Sequence, residues 1–296
     1  MIRAPRLARA RKKVEYQSFT SEHDLDSMHR FYLPPAECRG SSLRLSDREA
    51  HHALHVLRLR RGDQLLVLDG EGLQLQCEVS HLTRDAIDLT VRRRESIAPV
   101  PYQLTLVQAL PKRKLMDAIV QKATELGVFR IVPLLSERVV THLDSKQQED
   151  KTEHWRALAV EAIKQCGSPW LPRIEGPVTP EAFLARKETF ELSLIASLQP
   201  NSRHPRELFE CFAAQYGRRP QSICVWVGPE GDFTASEIAA AKSAGAVPVS
   251  LGKLVLRCET AAIYCLSVLN YELETMARPQ INTGLSAWRK ESDASG

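Results

Sequence analysis

The stretch Cys224-Val225-Trp226-Val227-Gly228-Pro229-Glu230-Gly231-Asp232-Phe233, followed by Thr234-Ala235-Ser236-Glu237, decides the fold. An apolar run too short for a helix stops at glycine and proline, as a buried strand does. Thr234 with Glu237 three residues on is a capping box, so a helix begins there. The unit is therefore strand, turn, helix. Gly228 and Gly231 allow the backbone to approach a ligand closely, and Pro229 stiffens the turn. A phosphate cradle and a plain structural loop both fit this turn. The Walker pattern and the G-x-G-x-x-G fingerprint are absent, which excludes a P-loop enzyme and a dinucleotide-binding Rossmann domain.

A second strand end follows in Val249-Ser250-Leu251-Gly252-Lys253-Leu254-Val255-Leu256-Arg257-Cys258-Glu259-Thr260-Ala261. The strand closes at Leu251-Gly252, an apolar loop follows, and Arg257 and Glu259 directly precede an apolar helix. Leucines on a loop predict that it is tucked into the interior, which leaves Arg257 and Glu259 partly desolvated and in need of partners. A structural ion pair and a catalytic pair fit these two residues equally well.

Outward from these turns, strands are predicted at 103–109, 130–135, 192–197, 222–227 and 247–251. Helices are predicted at 112–126, 153–165, 235–244 and 260–273. Strands alternating with helices form a mostly parallel sheet covered on both faces, an α/β domain from residue 99 to 276. Ligands in such sheets bind beyond the carboxyl ends of the strands, where both turns lie.

Residues 28–98 read as a separate, β-rich domain. Arg30-Phe31-Tyr32-Leu33 stops at Pro34-Pro35, and Gln64–Leu68 is joined through Asp69-Gly70 to an alternating run from Leu73 to Val79. Ile87–Val91 is a further strand, and one short helix fits Asp47–Leu57, capped by Ser46 or Asp47. His51 and His55 share a face of that helix. They lack a third ligand for a metal, so no metal site is expected. Residues 1–27 form a basic extension, with Arg3, Arg6, Arg9, Arg11, Lys12 and Lys13 preceding the first acid, and 277–296 form a tail. Ala98-Pro99-Val100-Pro101 is the linker.

The 296 residues are 43% hydrophobic and 26% charged, the balance of a folded chain with room for two cores. The longest apolar stretch, Ala261 to Leu269, is too short to span a bilayer. Seven scattered cysteines without a C-x-x-C pair argue against a disulfide framework and a zinc ribbon, and suit the cytoplasm. The net charge of +4 is mild, yet Arg58, Arg60 and Arg61 crowd together, a pattern suited to phosphate and equally to a solvated face. No G-x-S-x-G elbow or H-E-x-x-H pair supports a hydrolase.

Gly228-Pro229-Glu230-Gly231, then Leu251-Gly252, then Leu256-Arg257-Cys258-Glu259-Thr260-Ala261 resemble the signature of the RsmE family, bacterial 16S ribosomal RNA (uracil-N3)-methyltransferases of the SPOUT superfamily. Gln121–Gly127, Pro133–Arg138 and Glu161–Gly167 agree in order, and the likeness runs from Met28 to Leu273. Cys258 stands where the family has Thr, and Asp232 where a third glycine is frequent. The resemblance implies a C-terminal trefoil knot and an N-terminal PUA-like β-barrel that binds RNA. It further implies S-adenosylmethionine as cofactor, the small ribosomal subunit as partner, and a homodimer. It assigns donor binding to Leu198, Gly228, Pro229, Glu230, Gly231, Leu251, Gly252, Leu254, Leu256 and Arg257. Catalysis falls to Arg257 and Glu259, and RNA contact to Arg30, Arg58, Arg60 and Arg61. Another SPOUT enzyme and a non-enzymatic RNA-binding protein are the alternatives.

Overall fold

A computed structural model describes residues 28–112, 115–139, 143–197 and 201–274. The expected extension, the tail and Leu198 lie outside these described residues.

The N-terminal sheet joins β1 (Arg30–Tyr32), β2 (Ser42–Leu45), β3 (Gln64–Leu68), β4 (Leu73–Leu82) and β5 (Ile87–Ser96) in the order β1-β3-β4-β5-β2. All neighbours are antiparallel except β1 and β3, which run parallel. Register shifts in the β4–β5 pair at Gln76/Cys77 and Val79/His81 accompany the curl of the sheet. Its two edges close on one core, with Phe31 and Leu33 from β1 and its exit packed with Leu43 and Leu45 from β2. The predicted helix divides into α1 (Asp47–His51) and a π-helical segment, His52–Val56.

The C-terminal sheet has six strands, all parallel, in the order β11-β9-β10-β6-β7-β8. These are β6 (Gln103–Ala109), β7 (Arg130–Leu134), β8 (Arg173–Ile174), β9 (Leu192–Ala196), β10 (Ser222–Val227) and β11 (Val247–Val249). The helices are α2 (Leu115–Glu125), α3 (Ser145–Cys166), α4 (Pro180–Ala185), α5 (Pro205–Tyr216), α6 (Ala235–Ser243) and α7 (Cys258–Glu274). Strand alternation divides the apolar residues between two faces. Leu104, Leu106, Leu194, Ile223 and Val225 pack with α2, α3, α5 and α7. Val107, Ile195, Cys224 and Trp226 pack with Phe183 of α4 and Ile238 and Ala241 of α6.

Strand β11 is held along both edges, by Ser197 on one side and by Arg203 on the other. Ser197 N donates to Val249 O at 3.2 Å on one side. On the other, Arg203 N donates to Pro248 O at 3.0 Å and Ser250 N to Arg203 O at 2.9 Å. The chain after β11 continues into α7, which packs against β6 and β10 on the face that carries α2.

The two sheets are clamped together. Lys164 of α3, 7% exposed, bonds Glu49 of α1 at 2.7 Å and Glu161 at 3.3 Å. Gly72 N donates to Pro169 O at 2.9 Å, and Leu171 N to Gly70 O at 2.9 Å. Trp170 Nε1 donates to Ile97 O at 3.1 Å, and its ring lies where any Cβ on Gly72 would stand.

Candidate active site

The carboxyl ends of β9, β10 and β11 surround a cavity of about 280 Å³. Gly228, Pro229 and Glu230 line one side, and Leu251, Gly252, Leu254 and Leu256 the other, with Asp232 and Cys258 between them. The two turns singled out in the sequence thus meet around one space.

The first turn is fixed at every point. Asp232 N donates to Pro229 O at 2.9 Å, closing the turn. Lys112 N, after β6, donates to Glu230 Oε1 at 2.9 Å, so this carboxylate both ties two strand ends together and faces the cavity. Gly231 O accepts from the Arg138 guanidinium after β7. A Cβ on Gly228 would stand 3.1 Å from Asp232 Oδ1 and 3.2 Å from Phe233 N, a tight fit that would press on the turn. Asp232 has φ +60°, in the left-handed region that favours glycine. Asp232 Oδ1 accepts from Phe233 N at 2.8 Å, the local bond by which an aspartate tolerates that conformation. The predicted capping box is present: Thr234 Oγ1 accepts from Glu237 N and Glu237 Oε2 from Thr234 N. Buried Glu237 also accepts from Glu137 N at 2.9 Å through Oε1, a link the sequence did not reveal.

The second turn is loosely held. Gly252 has φ +112°, a conformation closed to most side chains, and its N donates to Ser250 Oγ at 3.3 Å. The sequence predicts an interior loop here, and the structure corrects that expectation. Leu254 is 77% and Val255 78% exposed, and only Leu256 turns inward, onto the core beneath α7. The correction has a simple cause: these residues form the outer rim of the cavity, where no other part of the described chain covers them.

Arg257 is exposed and makes no side-chain hydrogen bond or ion pair among the described residues, so it is not the desolvated, partnered group expected. Its carbonyl accepts from Ala261 N at 2.8 Å, which places it at the start of α7. Glu259 is half-buried and accepts from Cys258 Sγ at 3.4 Å. No bond joins Arg257 to Glu259 among the described residues. Burial pushes the Cys258 thiol up to about 12, with the bond to Glu259 acting in the same direction, so it faces the cavity as a neutral group.

Of the RNA-contact candidates, Arg58, Arg60 and Arg61 are exposed. Arg30 is otherwise engaged. Its guanidinium lies over Gly167, where an added Cβ would be 3.1 Å from Cζ, and Nη1 donates to Gln165 O at 3.4 Å. That places a cation on the C-terminal carbonyls of α3, favourable for the helix dipole, and makes Arg30 part of the clamp between the sheets. No group of metal-ligating side chains occurs among the described residues, and no described helix is long and apolar enough to cross a membrane.

Comparison with known proteins agrees with this geometry. Residues 98–270 match the RNA methyltransferase domain family and 45–92 the RNA methyltransferase PUA domain. A ribosomal RNA small subunit methyltransferase E from Synechocystis is 32% identical, covering 83% of this chain and 78% of that one. Its counterpart from Bacillus subtilis is 27% identical over 80% of this chain and 92% of its own. A methyltransferase from Legionella pneumophila, solved with bound SAM, has TM-score 0.74 and 31% identity, covering 82% of this chain and 97% of that one. Ribosomal RNA small subunit methyltransferase E from Neisseria gonorrhoeae, also with S-adenosyl methionine, gives 0.72 and 29%, covering 82% and 96%. A six-stranded parallel sheet, a curled N-terminal sheet and this agreement along both place the chain in the ribosomal RNA small subunit methyltransferase E family, enzymes that methylate RNA.

Proposed function

We propose that this chain methylates N3 of a specific uridine in 16S ribosomal RNA, using S-adenosylmethionine, in the cytoplasm. The observation that carries the reading is the meeting of Gly228–Glu230 with Leu251–Leu256 around one cavity at the strand ends. The space suits the donor chemically. It offers apolar side chains at Leu251, Leu254 and Leu256, close backbone approach at Gly228 and Gly252, and two acidic side chains, Glu230 and Asp232, the first of which we assign to a cation. Those residues and Pro229 would hold the donor, which supplies a methyl group on a positively charged sulfur.

Uridine N3 carries a proton at neutral pH, so the acceptor must lose it as the N–C bond forms. Arg257, exposed beside the cavity and with no side-chain partner among the described residues, is the cation we assign to the charge developing on the uracil oxygens. Glu259, at the start of α7, is the assigned proton acceptor. Residues 99–276 are the proposed methyltransferase domain and 28–98 the RNA-gripping domain, with Arg58, Arg60 and Arg61 on phosphates. The proposed homodimer is supported by apolar side chains left open on one chain, Leu254 and Val255 with Tyr264 (44% exposed) and Tyr271 (61%) of α7. All seven thiols are free, in keeping with a reducing compartment.

Arg257→Ala is expected to lower methyl transfer to rRNA by at least a hundredfold while donor binding by calorimetry stays within about threefold. Near-normal turnover refutes the assignment. Primer extension names the product, because a methyl on N3 blocks the pairing edge and halts reverse transcriptase; no new stop on treated rRNA refutes the acceptor.

A further inference from the structure

The open side of α1 carries a feature that the proposed reaction leaves unused. His51 and His55 lie one helical turn apart, with ring centroids 4.8 Å apart and planes tilted by 49°. Both are exposed, while Ala50 and Ala53 turn into the core and hold the helix down. The winding loosens to a π-helix over His52–Val56, a geometry that concentrates at functional sites. Val56 beside them is 62% exposed. The chain then leaves through Arg58 at φ +55°, a left-handed conformation that costs an arginine free energy.

The charges around this pair differ from other arginines of the same domain. Arg44, Arg48, Arg92 and Arg93 are each ion-paired, to Asp88, Glu161, Glu78 and Glu95. The side chains of Arg58, Arg60 and Arg61 make no hydrogen bond or ion pair among the described residues. Two adjoining rings and an exposed valine, followed by three uncommitted guanidinium groups, match the needs of a single-stranded nucleic acid. Bases stack on planar side chains while the backbone tracks cations. A metal would require a third ligand, and no such group exists among the described residues.

We propose that His51 and His55 form a platform on which an unpaired base of the RNA substrate stacks, with Arg58, Arg60 and Arg61 on the adjoining phosphates. This inference rests on the reading of the chain as an RNA methyltransferase. The test is fluorescence anisotropy of the full chain with a labelled single-stranded oligoribonucleotide of small-subunit rRNA sequence, across a salt series. Stacking on one base is worth roughly 5- to 150-fold in affinity. The double variant His51→Ala/His55→Ala should weaken binding by about tenfold without changing the salt slope, because stacking releases no counterions. His51→Phe/His55→Phe should bind within about threefold of wild type, and His55→Ala alone should fall between. Donor affinity should be unchanged in all three. Unaltered binding by the double alanine variant overturns the platform, as does an equal loss in the phenylalanine variant. If wild-type protein methylates rRNA and either result appears, this inference alone fails; if wild-type protein neither binds nor methylates rRNA, the underlying reading fails with it.

Discussion

The two walls of the cavity are built in opposite ways. The 228–233 turn is bound to β6 through Glu230, to the end of β7 through Arg138, and to α6 through its cap, and Phe233 is buried edge-on against Trp226. The 252–257 loop is held only by short-range bonds among the described residues, between Gly252 and Ser250 and from Ala261 N to the Arg257 carbonyl, and presents two apolar side chains outward. One wall is therefore formed before any ligand arrives. The other has few contacts of its own and is free to gain them from what we propose binds there. A preformed wall lowers the ordering cost of binding, whereas an unsupported one couples binding to assembly.

Breaking the rigid wall has the largest expected effect. Glu237→Ala removes the acceptor for Thr234 N and Glu137 N and leaves both donors without it. A loss of about 2–3 kcal/mol of stability is expected, read by denaturant melts, together with weaker donor binding. Gly252→Ala strains the open wall, at a cost of about 1–3 kcal/mol. Because that loop contributes little to the core, the loss should appear in donor affinity by calorimetry rather than in the melting temperature.

Leu254→Ser with Val255→Ser should leave monomer stability within about 0.5 kcal/mol, since both are already exposed. The same pair should shift the oligomer equilibrium in sedimentation; an unchanged equilibrium would remove these residues from the subunit contact. Asp232→Gly sharpens the contrast most finely. It relieves a left-handed aspartate but deletes its bond to Phe233 N, so the two effects offset to within about 1 kcal/mol. Thiol chemistry separates buried from open sites. With its thiol pushed up to about 12, Cys258 stays protonated at pH 8 and should resist iodoacetamide, which labels the exposed Cys166 and Cys211. Rapid labelling of Cys258 by mass spectrometry would contradict its burial.

The rigid wall was legible in the sequence and the open wall was not. Strands 103–109 and 222–227 emerge with their predicted ends, because buried parallel strands are unbroken apolar runs stopped by turn residues. The Thr234–Glu237 box likewise follows from residues three apart. Long-range relations leave no such local trace. Arg30 looks like any basic residue until α3 ends beneath it. Apolar loop residues imply burial only if something covers them, and within the described chain nothing covers Leu254 and Val255. Other elements were also missed: β2, four residues at a sheet edge, and α5, whose N-cap is His204 rather than one of the usual Ser, Thr, Asp and Asn. The start of α3 at Ser145 escaped because its first two turns carry almost no apolar residues.

The double grip on β11 also dictates an order of events during biogenesis. Arg203 leaves the ribosome before Val249 is made, so its hydrogen bonds to that strand wait for the C-terminal part of the chain. A nascent chain that ends before β11 thus has one wall of the cavity and lacks the other, at Leu251–Leu256. The cavity is therefore completed late in synthesis, after most of the chain has emerged.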